Sequence, residues 1–243
     1  MAITVPPTDY AAGPPAIDRS SIPAAEQPAL LHLLDLLASL GRYEQQFSLA
    51  VLLFDEAHEE NTRLVRAVEV GQLSFGGLDQ LTNTLSGWQM MAARDGALAI
   101  YHFGQTLPAV KAAFGQCASL RPVVDFIALR LAANVFEATF PSYEAIRHAV
   151  GHVADFAVTP KKKAEHSIKG PWKGEFGGVG LELKDFGLLH RFSDNLYDRS
   201  YCITIEGKVH SYEVSVATLA KLRTIRASVY AAFDKATTVN PLA

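Results

Sequence analysis

Seven leucines in eleven positions, Leu30, Leu31, Leu33, Leu34, Leu36, Leu37 and Leu40, set the first condition on this chain. At a helical advance of 100° per residue they cover nearly the whole circumference of a helix. A helix apolar on most sides cannot face water, so other elements must surround it. The pattern opens at Ala24 and closes near Gly41, a residue suited to the left-handed conformation that ends many helices. It predicts the buried centre of a helical bundle.

More helical stretches supply the rest of that bundle. Arg42–Val70 carries Phe47, Val51, Phe54, His58, Leu64, Val65 and Val68 in helical phase. Gly71–Gly77 reads as a turn and lacks the lysine of a phosphate-cradling loop. Leu78–Phe114 is the longest helical pattern, with Trp88, Met91, Leu98, Tyr101 and Phe103 as core candidates and Pro108 as a possible bend. Arg121–Thr139 follows, with Pro122 suited to a first turn and Val123, Val124, Ile127, Leu131, Val135 and Phe136 as its apolar positions. After a corner at Phe140-Pro141-Ser142 comes one more helix, running to about Ala157.

The character then changes. Residues 158–198 hold Lys161, Lys162, Lys163, Lys169, Trp172, Lys173 and several glycines, and read as a basic, Gly-rich loop. Tyr201–Glu206 and Val209–Ser215 alternate around Gly207-Lys208, the pattern of a β-hairpin. Ser215 can cap a closing helix whose stripe is Leu219, Leu222, Ile225, Val229 and Phe233. The fold class is therefore mainly α: a helical bundle with a C-terminal β-hairpin and closing helix. The organisation expected is a Pro/Ala-rich arm at 1–24, a bundle at 25–157, the loop segment at 158–198, and a hairpin plus helix at 199–236 packed on the bundle, as a single domain.

Composition narrows the function classes. A chain of 243 residues with 49% hydrophobic and 19% charged content is globular, and its net charge of −3 creates no overall field that would draw nucleic acid. The two cysteines, Cys117 and Cys202, form neither a disulfide framework nor a metal-ligand spacing. A reducing, cytoplasmic setting is expected from that usage. No apolar run is long enough to span a membrane, and the N-terminus lacks the pattern of a secretory signal.

The chemically suggestive stretch is Phe140–Phe156, FPSYEAIRHAVGHVADF. Ser142 is a good N-cap, and Ile146, Ala149, Val150, Val153, Phe156 and Ala157 form its apolar stripe. Glu144, His148, Gly151, His152 and Asp155 fall on the opposite face, with Arg147 between the two. His148 and His152 are four apart and can lie side by side. Arg147 and His152 are five apart, about 140° around the helix, so they do not share a face. A plain amphipathic helix with a solvated polar face would also have this pattern.

Arg147, His148 and His152 make an R-(polar)-x-x-x-H motif on an amphipathic helix, which resembles the signature of the HEPN superfamily. The resemblance implies an all-helical bundle, usually a dimer, that binds RNA or cleaves it without metal. It implies that His152 acts as general acid or base and that Arg147 stabilises phosphate charge, the two meeting across a homodimer. Lys161, Lys162, Lys163 and Trp172 then suggest RNA contacts, because lysines neutralise phosphates and an indole can stack on a base. They are equally consistent with a mobile, solvated loop.

Arg94, Asp95 and His102 form a second candidate cluster, set in a helix with Ala92, Ala93, Gly96 and Ala97. Asp95 and His102 are seven apart and share a face; an intra-helix ion pair explains them as well. Asp55-x-x-His58 occurs once, and His148 with His152 lacks the glutamate of a zinc-protease helix, so no metal or cofactor is expected. Two functions therefore stand: a HEPN-like RNA-binding protein or ribonuclease, and a non-enzymatic helical partner-binding or structural dimer.

Overall fold

The computed structural model of the chain describes residues 13–72, 78–152, 158–176, 179–184 and 190–237. Among them the protein is mainly helical, with six α-helices, the last closing the chain, and a small β portion. Two compact units are formed, neither contiguous in sequence. Unit 1 comprises Met1–Gln46, Ala99–Pro141 and Leu219–Ala243; unit 2 comprises Phe47–Leu98 and Ser142–Thr218.

Helix α1 runs unbroken over Gln27–Glu69, and α2 over Leu78–Gly115 with Pro108 inside it. Gly41 therefore does not end a helix. It lies where Tyr230 comes close: a Cβ at Gly41 would sit 3.4 Å from the Tyr230 hydroxyl, which donates to the carbonyl of Leu37 at 2.8 Å. The glycine admits a neighbouring ring, and the better helix formers on either side carry the helix through it.

Unit 1 is built on the buried face of the leucine run. Leu30, Leu33, Leu37 and Leu40 are sealed from solvent, whereas Leu31 is half exposed. The helix is thus buried on one broad face and not on all sides. Phe103 stacks on Phe136 with centroids 5.7 Å apart. Helix α3, Phe126–Thr139, starts later than the Arg121-Pro122 reading. The Asp125 carboxylate accepts from the Ala128 N–H at 2.9 Å, an N-cap stronger than a first-turn proline. Its buried positions are Leu129, Ala132 and Phe136; Ile127, Leu131 and Val135 face outward. Buried Glu44 is held by Arg223 at 3.0 Å and Arg226 at 2.8 Å.

Unit 2 takes α1 from Phe47 and α2 up to Leu98, joined by a cluster of Ala57, Leu64, Leu85 and Leu78. Of the α2 core candidates, Trp88 and Met91 are exposed, at 48% and 62%. Within unit 2 the buried face of α2 carries Leu85 with the small residues Ala92, Ala93 and Ala97, while the candidate Phe103, in unit 1, is fully buried. Side-chain size did not decide burial on this helix; close packing takes small residues where another element approaches.

Helices α4 (Tyr143–His152) and α5 (Pro160–Glu165) precede strands β1 (Trp172–Phe176), β2 (Val179–Leu183), β3 (Asn195–Tyr197), β4 (Ser200–Ile205) and β5 (Lys208–Glu213). The segment 158–198 read as a loop thus contains a helix and three strands. Strands β1 and β2 pair antiparallel; β3, β4 and β5 form an antiparallel sheet in that order. The β4–β5 hairpin turns on Glu206 and Gly207, with φ of 51° and 76°, as the mirror-image turns of two-residue hairpins require. Ile168, Phe176, Phe192 and Cys202 are buried together under Trp172, Leu181, Leu183, Tyr197 and Val209. Helix α6, Val216–Ala231, closes the chain; Ser215 accepts from the Thr218 N–H at 3.2 Å, as the cap reading expects.

Candidate functional site

Helix α4 is fixed in unit 2 by its apolar side and by Ser142, the residue just before it. Ile146 and Ala149 are buried, and the helix packs on β4 and β5. The Ile146 N–H donates to the Ser142 carbonyl at 2.9 Å. The Ser142 hydroxyl lies 3.0 Å from Nδ1 of His210 on β5. Burial, aided by the positive charge of Lys208 and opposed by Glu206, pushes the His210 pKa below the usual imidazole range. His210 is therefore neutral at pH 7, so its ring offers one donor and one acceptor nitrogen to the contact with Ser142.

The other side of α4 is exposed at Glu144, His148, Gly151 and His152, while Arg147 is half-buried on its flank. The rings of His148 and His152 lie side by side, with centroids 4.8 Å apart and planes at 39°. The four-residue spacing thus brings the two imidazoles together. Arg147 leaves the helix about 140° around from His152 by the helical period. The stripe positions Val153, Phe156 and Ala157, and Asp155 on the polar face, lie outside the described residues.

Helix α5 carries the lysines. Thr159 caps it by accepting from the Lys162 N–H at 3.2 Å, and Pro160 takes the first helical position. Lys161, Lys162 and Lys163 are all exposed. Trp172 is different: its ring is half-buried, stacked on Phe176 at 5.6 Å and edge-on to Phe192 at 5.3 Å. It also lies across Gly174, where a Cβ would come within 2.3 Å of the indole. The indole anchors the β1–β2 hairpin and is only partly open to solvent.

The second cluster has partners that the sequence did not indicate. Arg94 pairs with Asp194, a hundred positions away, and not with neighbouring Asp95, which is exposed. Asp194 also accepts a 2.5 Å hydrogen bond from the hydroxyl of Tyr201, a fully buried residue. Burial first, then the adjoining Asp194 carboxylate, pushes the Tyr201 phenol far above its usual range. Tyr212, directly across the hairpin from Tyr201, donates to the Ala93 carbonyl. His102 lies in unit 1, where its ring stacks on Tyr43 at 5.3 Å. The Arg94 group is thus a polar pin between helix and sheet. One sequence signal for it existed: two tyrosines at matching positions of a predicted hairpin.

Among the described residues no group of three or more His, Cys, Asp or Glu is arranged to hold a metal ion. Asp55 instead pairs with Arg199 at 2.6 Å, and Nδ1 of His58 lies 3.1 Å from the Gln89 amide. No described helix is long and apolar enough to cross a membrane. Comparison of the chain with protein-family models, with curated proteins and with solved structures finds no match.

Proposed function

We propose that this protein binds single-stranded RNA through α4 and α5 and cleaves it by metal-independent transesterification, in the manner the HEPN-like motif implies. The observation that carries the reading is the exposed pair of imidazoles, His148 and His152, 4.8 Å apart on α4. Imidazole has a reference pKa of about 6.5, so it can exist in either protonation state near neutrality. In the proposed step the ribose 2′-oxygen attacks phosphorus while its proton passes to neutral His152. The bond from phosphorus to the 5′-oxygen breaks, and that oxygen takes a proton from the imidazolium form of His148. The products are a 2′,3′-cyclic phosphate and a free 5′-hydroxyl. Arg147 of one copy, set opposite His152 of another, would meet the charge that grows on the phosphoryl oxygens. Lys161–Lys163 would hold neighbouring phosphates. A gel-shift titration of a single-stranded RNA against salt tests the binding half. Changing the three lysines to glutamine should reduce the salt slope by roughly 2; an unchanged slope rejects α5 as the phosphate contact.

A second reading has its own observation. Ile127, Leu131 and Val135 project from α3 at four-residue intervals, each half exposed or more. Such a stripe favours a helical protein whose role is to bind a partner. This reading predicts no RNA affinity, and loss of association when Leu131 is changed to a charged residue.

A further inference from the structure

The C-terminal end of α2 and the start of α3 enclose an open groove of about 440 Å³ in unit 1. It is lined by Lys111, Phe114, Gly115, Arg121 and Phe126, with no acidic side chain in the wall. The volume falls in the range of ordinary small-ligand sites. Its floor is aromatic. Phe114 is buried and fixed edge-on against Phe233, with centroids 6.3 Å apart. The Phe126 ring lies 6.3 Å from Phe114 at an interplanar angle of 26°, and the residue is 42% exposed. The rim is cationic. The Lys111 ammonium sits 5.4 Å from the centre of the Phe126 ring. Arg121 donates from one guanidinium nitrogen to the Gly115 carbonyl at 3.1 Å, which fixes its position and leaves its other N–H groups for another acceptor. The acid whose field Arg121 reaches is Glu26, whose carboxylate accepts from the backbone and hydroxyl of Ser119 and does not line the groove.

We propose that this groove binds a small organic anion with a planar aromatic body, the ring lying against Phe114 and Phe126 and the anionic group between Lys111 and Arg121. The two halves are complementary in kind. An aromatic body without charge would leave Lys111 and the remaining N–H groups of Arg121 without an anion, and a bare anion would make no use of the partly exposed Phe126 ring. The anionic group is a carboxylate or a phosphate monoester, since a guanidinium and an ammonium serve both.

The test is calorimetric titration of the full-length protein with 2-naphthoate and 2-naphthyl phosphate, beside neutral 2-naphthol and inorganic phosphate. Binding of either aryl anion, with 2-naphthol and inorganic phosphate each at least roughly tenfold weaker, is the result expected; the tighter of the two aryl anions identifies the head group. Lys111→Gln and Arg121→Gln should each weaken that binding roughly tenfold, in line with loss of one charge-assisted contact. Phe126→Ala should weaken it further while leaving inorganic phosphate unaffected. All three side chains are exposed, so folding should survive each change. Absence of aryl-anion binding at millimolar concentration, binding of 2-naphthol as tight as that of the anions, or equal affinity in the Lys111 and Arg121 variants would overturn the proposal.

Discussion

Replacing Asp194 with alanine should be among the costliest single changes in unit 2, and the structure says how the cost divides. The Asp194 side chain is 9% exposed and its partner Arg94 is 43% exposed. Arg94 can therefore regain water when the carboxylate is removed, and its loss is that of a surface pair, about 0–1 kcal/mol. Tyr201 cannot, because it is fully buried and its hydroxyl loses the acceptor at 2.5 Å. An orphaned buried hydroxyl costs about 1–3 kcal/mol. Asp194 also sits at φ 65°, where a β-carbon without a short polar side chain costs about 1–2 kcal/mol. The sum is roughly 2–6 kcal/mol. Asp194→Asn keeps both an acceptor oxygen and tolerance of that backbone, and should cost about 1 kcal/mol. Tyr201→Phe alone should cost about 1 kcal/mol. The decisive figure is the double variant. With the hydroxyl already absent, removing Asp194 no longer orphans anything, so the two costs should fall short of additivity by about 1–3 kcal/mol. Urea denaturation followed by circular dichroism measures all four proteins. Additivity within about 0.5 kcal/mol would refute the claim that these two groups form one polar pin.

The other predictions use single contacts. Gly96→Ala should destabilise by about 1 kcal/mol, since a Cβ would lie 2.8 Å from the Tyr212 hydroxyl and 3.3 Å from Phe47, a clash that outweighs the helix propensity gained; the penalty should shrink when Tyr212 is phenylalanine, measured by the same denaturation. Glu44→Ala should cost about 3–5 kcal/mol by leaving mostly buried Arg226 without its counter-charge, and a loss below about 1 kcal/mol would show that the arginines find water. Burial raises the phenol pKa of Tyr201, Tyr212 and Tyr230 and pushes the Cys202 thiol up to about 12. The unfolded chain then releases these protons first, so stability from these groups is full below the unfolded thiol and phenol values and falls as pH rises through them and beyond. Urea midpoints should drop from about pH 9 upward, and phenolate absorbance from the three tyrosines should appear only with unfolding.

Features carried by local pattern were the ones the sequence revealed. The β4–β5 hairpin was legible because alternating residues flank Glu206-Gly207, and the closing helix because Ser215 precedes a regular stripe. The β1–β2 hairpin was hidden because glycines and lysines mask its alternation of Trp172, Gly174 and Phe176; Gly174 is there to receive the indole, which no one-dimensional pattern shows. Gly41 resembled a helix stop because a turn and a close approach by Tyr230 require the same residue. Trp88 and Met91 face water because size and hydrophobicity alone do not say which helix face is covered: Met91 lies about 160° around the helix from buried Ala93. At the candidate site, the adjacency of His148 and His152 followed from spacing, whereas Asp194 could not be linked to Arg94 across a hundred intervening positions.

The central claim is chemical, and one assay addresses it. Purified protein is incubated with a single-stranded RNA in the presence of a chelator, and the products are examined for 2′,3′-cyclic phosphate ends. Wild-type protein should generate them, His152→Ala and Arg147→Ala should each lower the rate at least about a hundredfold, and mixing the two inactive variants should restore part of it through hybrid dimers. Cleavage undiminished in both variants, or no cleavage by the wild type on any single-stranded RNA tried, would contradict the account.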